Sequence, residues 1–199
     1  MLTSPRAVQR GFSMLELMVT VSILAILIGI GMPQMAQWIQ RMTVSSASEL
    51  IQNGLRQAIG EAIRRNTEVD FILTDGTPSV SGVASLVAKQ NGANWAIRVV
   101  DTSASNRYVN GHQTKELSSD VTLQGPAGVR FNGSGRVLDL TGTPVGGKQV
   151  FRITRSGAEL AYCVFVTPGA AVKMCDPSRS SGDPRACQPV LTASECAAE

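Results

Sequence analysis

The chain has 199 residues, of which 43% are apolar and 17% charged, with a formal net charge of +3. That balance excludes a disordered chain and leaves room for one modest domain plus one further element. Most of the positive excess sits in residues 1–11, which carry Arg6 and Arg10; beyond them 16 basic residues face 15 acidic ones, a poor basis for attracting a polyanion.

The first element is an apolar run. From Phe12 to Met32 there are 21 residues whose only charge is Glu16. As a helix rising 1.5 Å per residue, the run covers roughly 32 Å, the depth of a bilayer core. A secretory signal peptide has an apolar core of about 7–15 residues before a small-residue cut site, which Gly29-Ile30-Gly31 imitates. This run is longer and contains an acid. A plain anchor would also do better without Glu16, because an ionised carboxylate inside a bilayer costs about 2.5–3.5 kcal/mol on insertion scales. Glu16 therefore needs a partner. A cut after Gly11 would place a new α-ammonium at Phe12, one helical turn away. Arg6 and Arg10 keep the preceding residues cytoplasmic, so the C-terminal part crosses the membrane.

Helical periodicity continues beyond Pro33. Apolar residues recur three or four apart at Met35, Ile39, Met42, Ala47, Leu50, Ile51, Leu55, Ala58, Ile59, Ala62 and Ile63. That spacing predicts one buried stripe, with Gln37, Gln40, Arg41, Glu49, Gln52 and Arg56 on the other face. A single helix is expected from Phe12 to about Arg65. Arg64 and Arg65 suit its C-terminus, and Asn66 suits the residue after it. Pro33 removes a backbone bond to residue 29, so a kink or loosening is expected near Gly29, Gly31 and Pro33.

After residue 66 the pattern changes to short strands: 69–74, 85–88, 95–100, 121–123, 129–131, 137–140, 150–154, 161–167 and 171–174. Turn pairs such as Asp75-Gly76, Asn132-Gly133 and Ser156-Gly157 separate them. This predicts paired, mainly antiparallel sheets whose apolar face covers the helix stripe. The polar stretch Asp101–Ser119 is read as an exposed loop, and the Pro- and Ser-rich tail from Asp176 as a segment tied down by cysteines.

Cys163, Cys175, Cys187 and Cys196 all lie near the C-terminus. They form no C-x-x-C, and the lone His112 is distant, so disulfides in an oxidising compartment fit better than a metal site. Cys175 and Cys187 bracket a polar loop that a bridge would staple. Cys163 and Cys175 are also symmetric about Gly169 and would face each other across a hairpin. We favour Cys175–Cys187 with Cys163–Cys196. No catalytic constellation is visible. Asn132-Gly133-Ser134-Gly135-Arg136 lacks the context and ending of a phosphate loop and reads as a hairpin turn. No cofactor is expected.

The segment Arg10–Gln34 resembles the N-terminus of type IV prepilins and pseudopilins in four features: Gly11, Phe12, Glu16 and Pro33, at matching identity and spacing. The resemblance implies cleavage after Gly11 by a prepilin peptidase and N-methylation of Phe12. It implies pairing of Glu16 with a neighbouring subunit's N-terminus, and partial unwinding near Pro33 on assembly. The fold implied is α+β and type IV pilin-like. Residues 1–11 would be the leader, 12–33 the transmembrane and filament-core helix, and 34–66 the amphipathic half. Residues 67–199 would be a β-rich head with a disulfide-tied C-terminal region.

Further on, Ala96-Ile97-Arg98-Val99-Val100 after a Trp, Val129–Val137, and the Cys-bearing stretch from Tyr162 to Pro177 resemble the GspH/FimT/FimU group. That implies a minor pilin priming, and sitting at or near the tip of, a type IV pilus. The alternatives are a GspH-like pseudopilin of type II secretion, or a FimT-like subunit for DNA uptake. For the last, Lys173, Arg179 and Arg185 are the candidate contacts, but they lack the interleaved aromatics that single-stranded DNA would want. The implied partners are the peptidase, other minor and major pilins, and inner-membrane lipid. The implied location is the inner membrane with a periplasmic head, then the cell-surface pilus.

Overall fold

A computed structural model describes residues 12–157, 160–191 and 195–196. The chain divides into two compact units, residues 1–39 and 40–199. Within the first unit the described chain is almost entirely helix. Helix α1 spans Met14–Arg65 and is continuous through Pro33. Its apolar residues here are exposed, among them Leu15, Met18, Leu24, Leu27 and Ile30. Among the described residues it is the one helix long and apolar enough to cross a membrane, with a window of mean hydropathy 2.3.

The second unit contains the end of α1 and two antiparallel sheets. The five-stranded sheet has the order β3-β2-β1-β5-β6. Its strands are β1 (Val69–Thr74), β2 (Asn94–Val99), β3 (Tyr108–Gln113), β5 (Gly128–Phe131) and β6 (Val137–Leu138). The four-stranded sheet has the order β4-β7-β8-β9. It is built from β4 (Val121–Gln124), β7 (Gln149–Arg155), β8 (Tyr162–Val166) and β9 (Val172–Cys175).

Both sheets close on α1. Val44, Ile51, Leu55, Ala58 and Ala62 of the helix share one core with Phe71, Ile97, Phe131, Phe151 and Val164. Phe71 joins the sheets: its ring stacks on Trp95 at 5.4 Å and meets Phe151 edge-on at 5.5 Å. Gly54 lets the helix approach this cluster, since a Cβ there would lie 3.0 Å from the Trp95 ring and 3.1 Å from Phe71. Helix α1 ends as the composition foretold. Asn66 takes a left-handed φ of 50°. Its N–H donates to the Ile63 carbonyl (3.2 Å) and that of Thr67 to the Ala62 carbonyl (3.2 Å), the two bonds of a Schellman cap.

Three expectations need correction. The buried helix stripe begins at Val44, while Met35, Ile39, Met42 and Ile63 are exposed. Apolar residues spaced three or four apart fit either purpose, and only the cover decides which positions count as core. Residues 85–88 are not a strand. A 3-10 turn covers Val83–Ser85, and the carbonyl of Leu86 is taken by the Arg98 guanidinium (2.7 Å) instead of a ladder. Leu86 then packs with Ile72 and Ala96 on the outer face of the sheet. Finally, Asp101–Ser119 is not all loop, because β3 pairs with β2 inside it. As an edge strand β3 is only part-buried along its length, so it never needed an apolar face.

Candidate functional site

Residues Phe12–Met32 form one candidate site. Ser13 caps the helix: its Oγ accepts from the Glu16 backbone N–H (3.2 Å), and its carbonyl accepts from Leu17 N–H (3.1 Å). The order Ser13-Met14-Leu15-Glu16 is that of a capping box, a local reading that composition alone does not reveal. A carboxylate in the first turn also faces the positive end of the helix dipole. The other polar side chains of the run are absorbed by the helix. Thr20 Oγ1 donates to the Leu17 carbonyl (2.9 Å) and Ser22 Oγ to the Met18 carbonyl (2.7 Å). Both hydroxyls are thereby made compatible with lipid. The Glu16 carboxylate remains, with no side-chain partner among the described residues. Phe12 is 82% exposed. Gly11 lies outside the described residues, and Pro33 sits inside α1.

Another candidate site is the C-terminal region of the head. Cys163 and Cys175 face each other in register across β8 and β9. They do not bond to each other. Each reaches sideways into the tail, Cys163 to Cys196 (Cα–Cα 6.3 Å) and Cys175 to Cys187 (Cα–Cα 4.8 Å). The two bridges lie side by side with Phe165 and Leu191 in a small apolar cluster of their own. The tail also returns beside β9 through a parallel bridge between Asp176 and Ala186.

The candidate DNA contacts lie here, and acids already hold two of them. Arg179 Nε donates to Asp176 Oδ2 (3.2 Å), with Asp183 a further 3.8 Å partner. Arg185 Nε lies 3.7 Å from Asp183. The carboxyl of Asp183 is held below its usual range, first by the Arg185 backbone N–H and then by the Arg185 and Arg179 charges. Lys173 instead donates to the Gln188 carbonyl (3.3 Å).

His112 and the segment Asn132–Arg136 both have structural roles. His112 sits on β3 opposite Trp95, with Nδ1 3.2 Å from Glu116. Asn132–Arg136 is a turn. Asn132 Oδ1 accepts from the N–H groups of Ser134 (3.1 Å) and Arg136 (2.9 Å) and from Ser134 Oγ (2.8 Å). Gly135 supplies the positive φ of 77°. The same device returns seven residues later. Asp139 Oδ1 accepts from Thr141 N–H (2.9 Å), Thr141 Oγ1 (2.6 Å) and Thr143 N–H (2.9 Å). This tandem repeat of Asx turns is written in the sequence as N-G-S-G-R, the expected turn, and D-L-T-G-T, a second one. Among the described residues no cluster of three or more metal-ligating side chains forms.

The helix joined to two antiparallel sheets can be compared with known proteins. A family model described as "Type II transport protein GspH" matches residues 47–170, more than half of the chain. The chain belongs to the GspH family of minor pilins and pseudopilins. A second model, the "Prokaryotic N-terminal methylation motif", matches residues 6–32. Among solved structures, the type IV minor pilin FimU of Pseudomonas aeruginosa aligns with a TM-score of 0.50 at 14% identity, covering 75% of this chain and 98% of that one. The minor pseudopilin EpsH from the type 2 secretion system of Vibrio cholerae aligns with a TM-score of 0.46 at 11% identity, covering 68% of this chain and 98% of that one. At such identities the likeness to FimU concerns the fold alone. No curated protein matches the chain. The family is one of structural subunits. Its methylation motif and exposed apolar helix mark the chain as membrane-anchored, within a pilus or pseudopilus.

Proposed function

We propose that this chain is a minor type IV pilin that primes assembly of the pilus and sits at or near its tip. The observation that carries the reading is the lone carboxylate of Glu16 in the otherwise uncharged, exposed stretch Phe12–Met32. In this scheme residues 1–11 are a leader removed by the prepilin peptidase, and Phe12 becomes the methylated N-terminus. Residues 12–33 anchor the subunit in the inner membrane while the head waits in the periplasm. Glu16 then receives the N-terminal ammonium of a neighbouring subunit. Such a buried pair adds little net stability, but leaving one member unpaired costs about 3–5 kcal/mol, so it acts as a register device. Pro33 loosens the helix as subunits pack. The chain is a substrate of the peptidase and carries out no chemistry itself.

The type II description of the matched family favours a second reading, a pseudopilin of type II secretion, in which the same steps build a pseudopilus. Support for a DNA-uptake role is thinner, because Arg179 and Arg185 already face Asp176 and Asp183.

The test is Glu16→Gln, which keeps the shape and removes the charge. The expected result is normal cleavage and methylation of the variant with at least a tenfold fall in its recovery from sheared filaments. Wild-type recovery of the variant would refute the pairing.

A further inference from the structure

A polar cleft of about 390 Å³ opens between α1, the edge strand β9 and the returning tail. Gln52 and Arg56 form its helix wall, Lys173 and Met174 its strand wall, and Pro184 and Gln188 its tail wall. Gln52 ties two walls together. With its carboxamide oriented by its partners, its oxygen accepts from Arg56 Nη2 (3.2 Å) and from the Met174 N–H (3.3 Å). Lys173 Nζ donates across to the Gln188 carbonyl (3.3 Å).

The charges in this cleft are unbalanced. Arg56 and Lys173 both line it, and among the described residues neither pairs with a carboxylate and no acid lines the cleft. The contrast with nearby cations is sharp. Arg64 and Arg65 share Glu61, and Arg179 and Arg185 share Asp183. The positions of Arg56 and Lys173 are also restrained. One stands on a helix, held by Gln52, and the other on a strand whose end is stapled by Cys175–Cys187. Preorganised cations lose less side-chain freedom on binding than free ones.

We propose that this cleft is a docking site for an acidic segment of a neighbouring subunit, with Arg56 and Lys173 receiving its carboxylates. The proposal rests on the pilin reading only for the source of that segment. Two exposed cations lining one cleft fit one or two carboxylates. A nucleic acid needs a longer row of phosphate contacts, and here the flanking arginines are already neutralised.

The test uses the full chain in a neutral detergent micelle and fluorescence anisotropy. The probe is a labelled, N-acetylated hexapeptide alternating glutamate and alanine, and its glutamine counterpart is the control. The glutamate peptide should bind and the glutamine peptide should not. Arg56→Gln/Lys173→Gln should weaken binding about tenfold, the loss expected for two partly exposed ion pairs. Arg179→Gln/Arg185→Gln should leave it unchanged. Equal binding of both peptides, no binding of either, or an equal loss in the second variant would overturn the proposal. So would a DNA 20-mer bound more tightly than the peptide through Arg56 and Lys173. Peptide binding is read without any assembly step, so its failure is separable from failure of the Glu16 test.

Discussion

Asp70 offers the most direct test of how the head is held together. On the outer face of the five-stranded sheet it stands in register with Arg98 on one side and Arg130 on the other. Its side chain is 3% exposed. Arg130 Nε donates to Oδ1 (2.7 Å) and Nη2 to Oδ2 (3.4 Å), while Arg98 Nε lies 3.6 Å from Oδ2. Asp70→Asn keeps the shape and removes the charge, leaving two mostly buried guanidinium groups without it. Removing one partner of a buried pair costs about 3–5 kcal/mol. The lower end applies here, because Arg130 keeps Glu68 at 3.2 Å and Arg98 keeps the Leu86 carbonyl at 2.7 Å. For a domain of this size, about 3 kcal/mol corresponds to a fall in Tm of roughly 6–12 °C. The assay is near-ultraviolet circular dichroism during a melt of the full chain in detergent, where buried Trp95 reports the core. As a control, the triple variant Asp70→Leu/Arg98→Met/Arg130→Met should sit close to wild type, since an apolar replacement of a whole buried network is often neutral. A fall below about 2 °C for Asp70→Asn would show that the two arginines are sufficiently solvated without it, and the reasoning would fail.

Two further outcomes are expected. Cys175→Ala/Cys187→Ala opens a loop with a sequence separation of 12, which should cost about 3 kcal/mol by loop-closure entropy. Limited proteolysis should then cut within residues 176–186 before the rest of the head, and an unchanged cutting pattern would count against the staple. The carboxyl of Glu61 is held below its ordinary value of 4.5, first by hydrogen bonding to Arg64 and then to Arg65, against the opposing effect of burial. A depressed acid stabilises the fold above its unfolded pKa and loses that contribution as pH falls through its folded value. The end of α1 should therefore stay intact at neutral pH and fray below about pH 4. The loss should be small, about 0.3–0.5 kcal/mol per pair, as for exposed helix ion pairs. Amide exchange at Arg64 and Arg65 followed against pH measures it, and protection constant down to pH 3 would contradict the assignment.

The parts of the fold that could be read in advance share one property: their signals are local. Residues 69–74, 129–131 and 150–154 are mainly apolar or β-branched runs, each with one charged residue, and each became a strand. Asn66 could be anticipated because a helix end needs a residue tolerant of positive φ. The failures are equally physical. β3 was hidden because one of its edges and one of its faces are solvated, so Tyr108–Gln113 can stay largely polar and still pair. Leu86 and Ala88 alternate like a strand, yet Leu86 serves as a cap on the outer face of the sheet. Arg56 carried no signal at all. It was one of several polar residues on a helix face until β9 and the tail came to stand beside it.

The opening segment was decided by sequence alone. A long apolar run, one acid at a set distance from Gly11 and a proline beyond it are properties of consecutive residues. The costs that make them informative, an unpaired charge in lipid and a missing N–H in a helix, do not depend on any distant contact. Tertiary structure decided what the head does with its charges and thiols. Cys163 and Cys175 are neighbours across a hairpin, and only the path of the tail carries each to a different partner. Arg179 and Arg185 became engaged, while Arg56 and Lys173, 117 positions apart in the chain, came to share a cleft. Pairing over such separations depends on how sheets and tail pack, which no local pattern encodes.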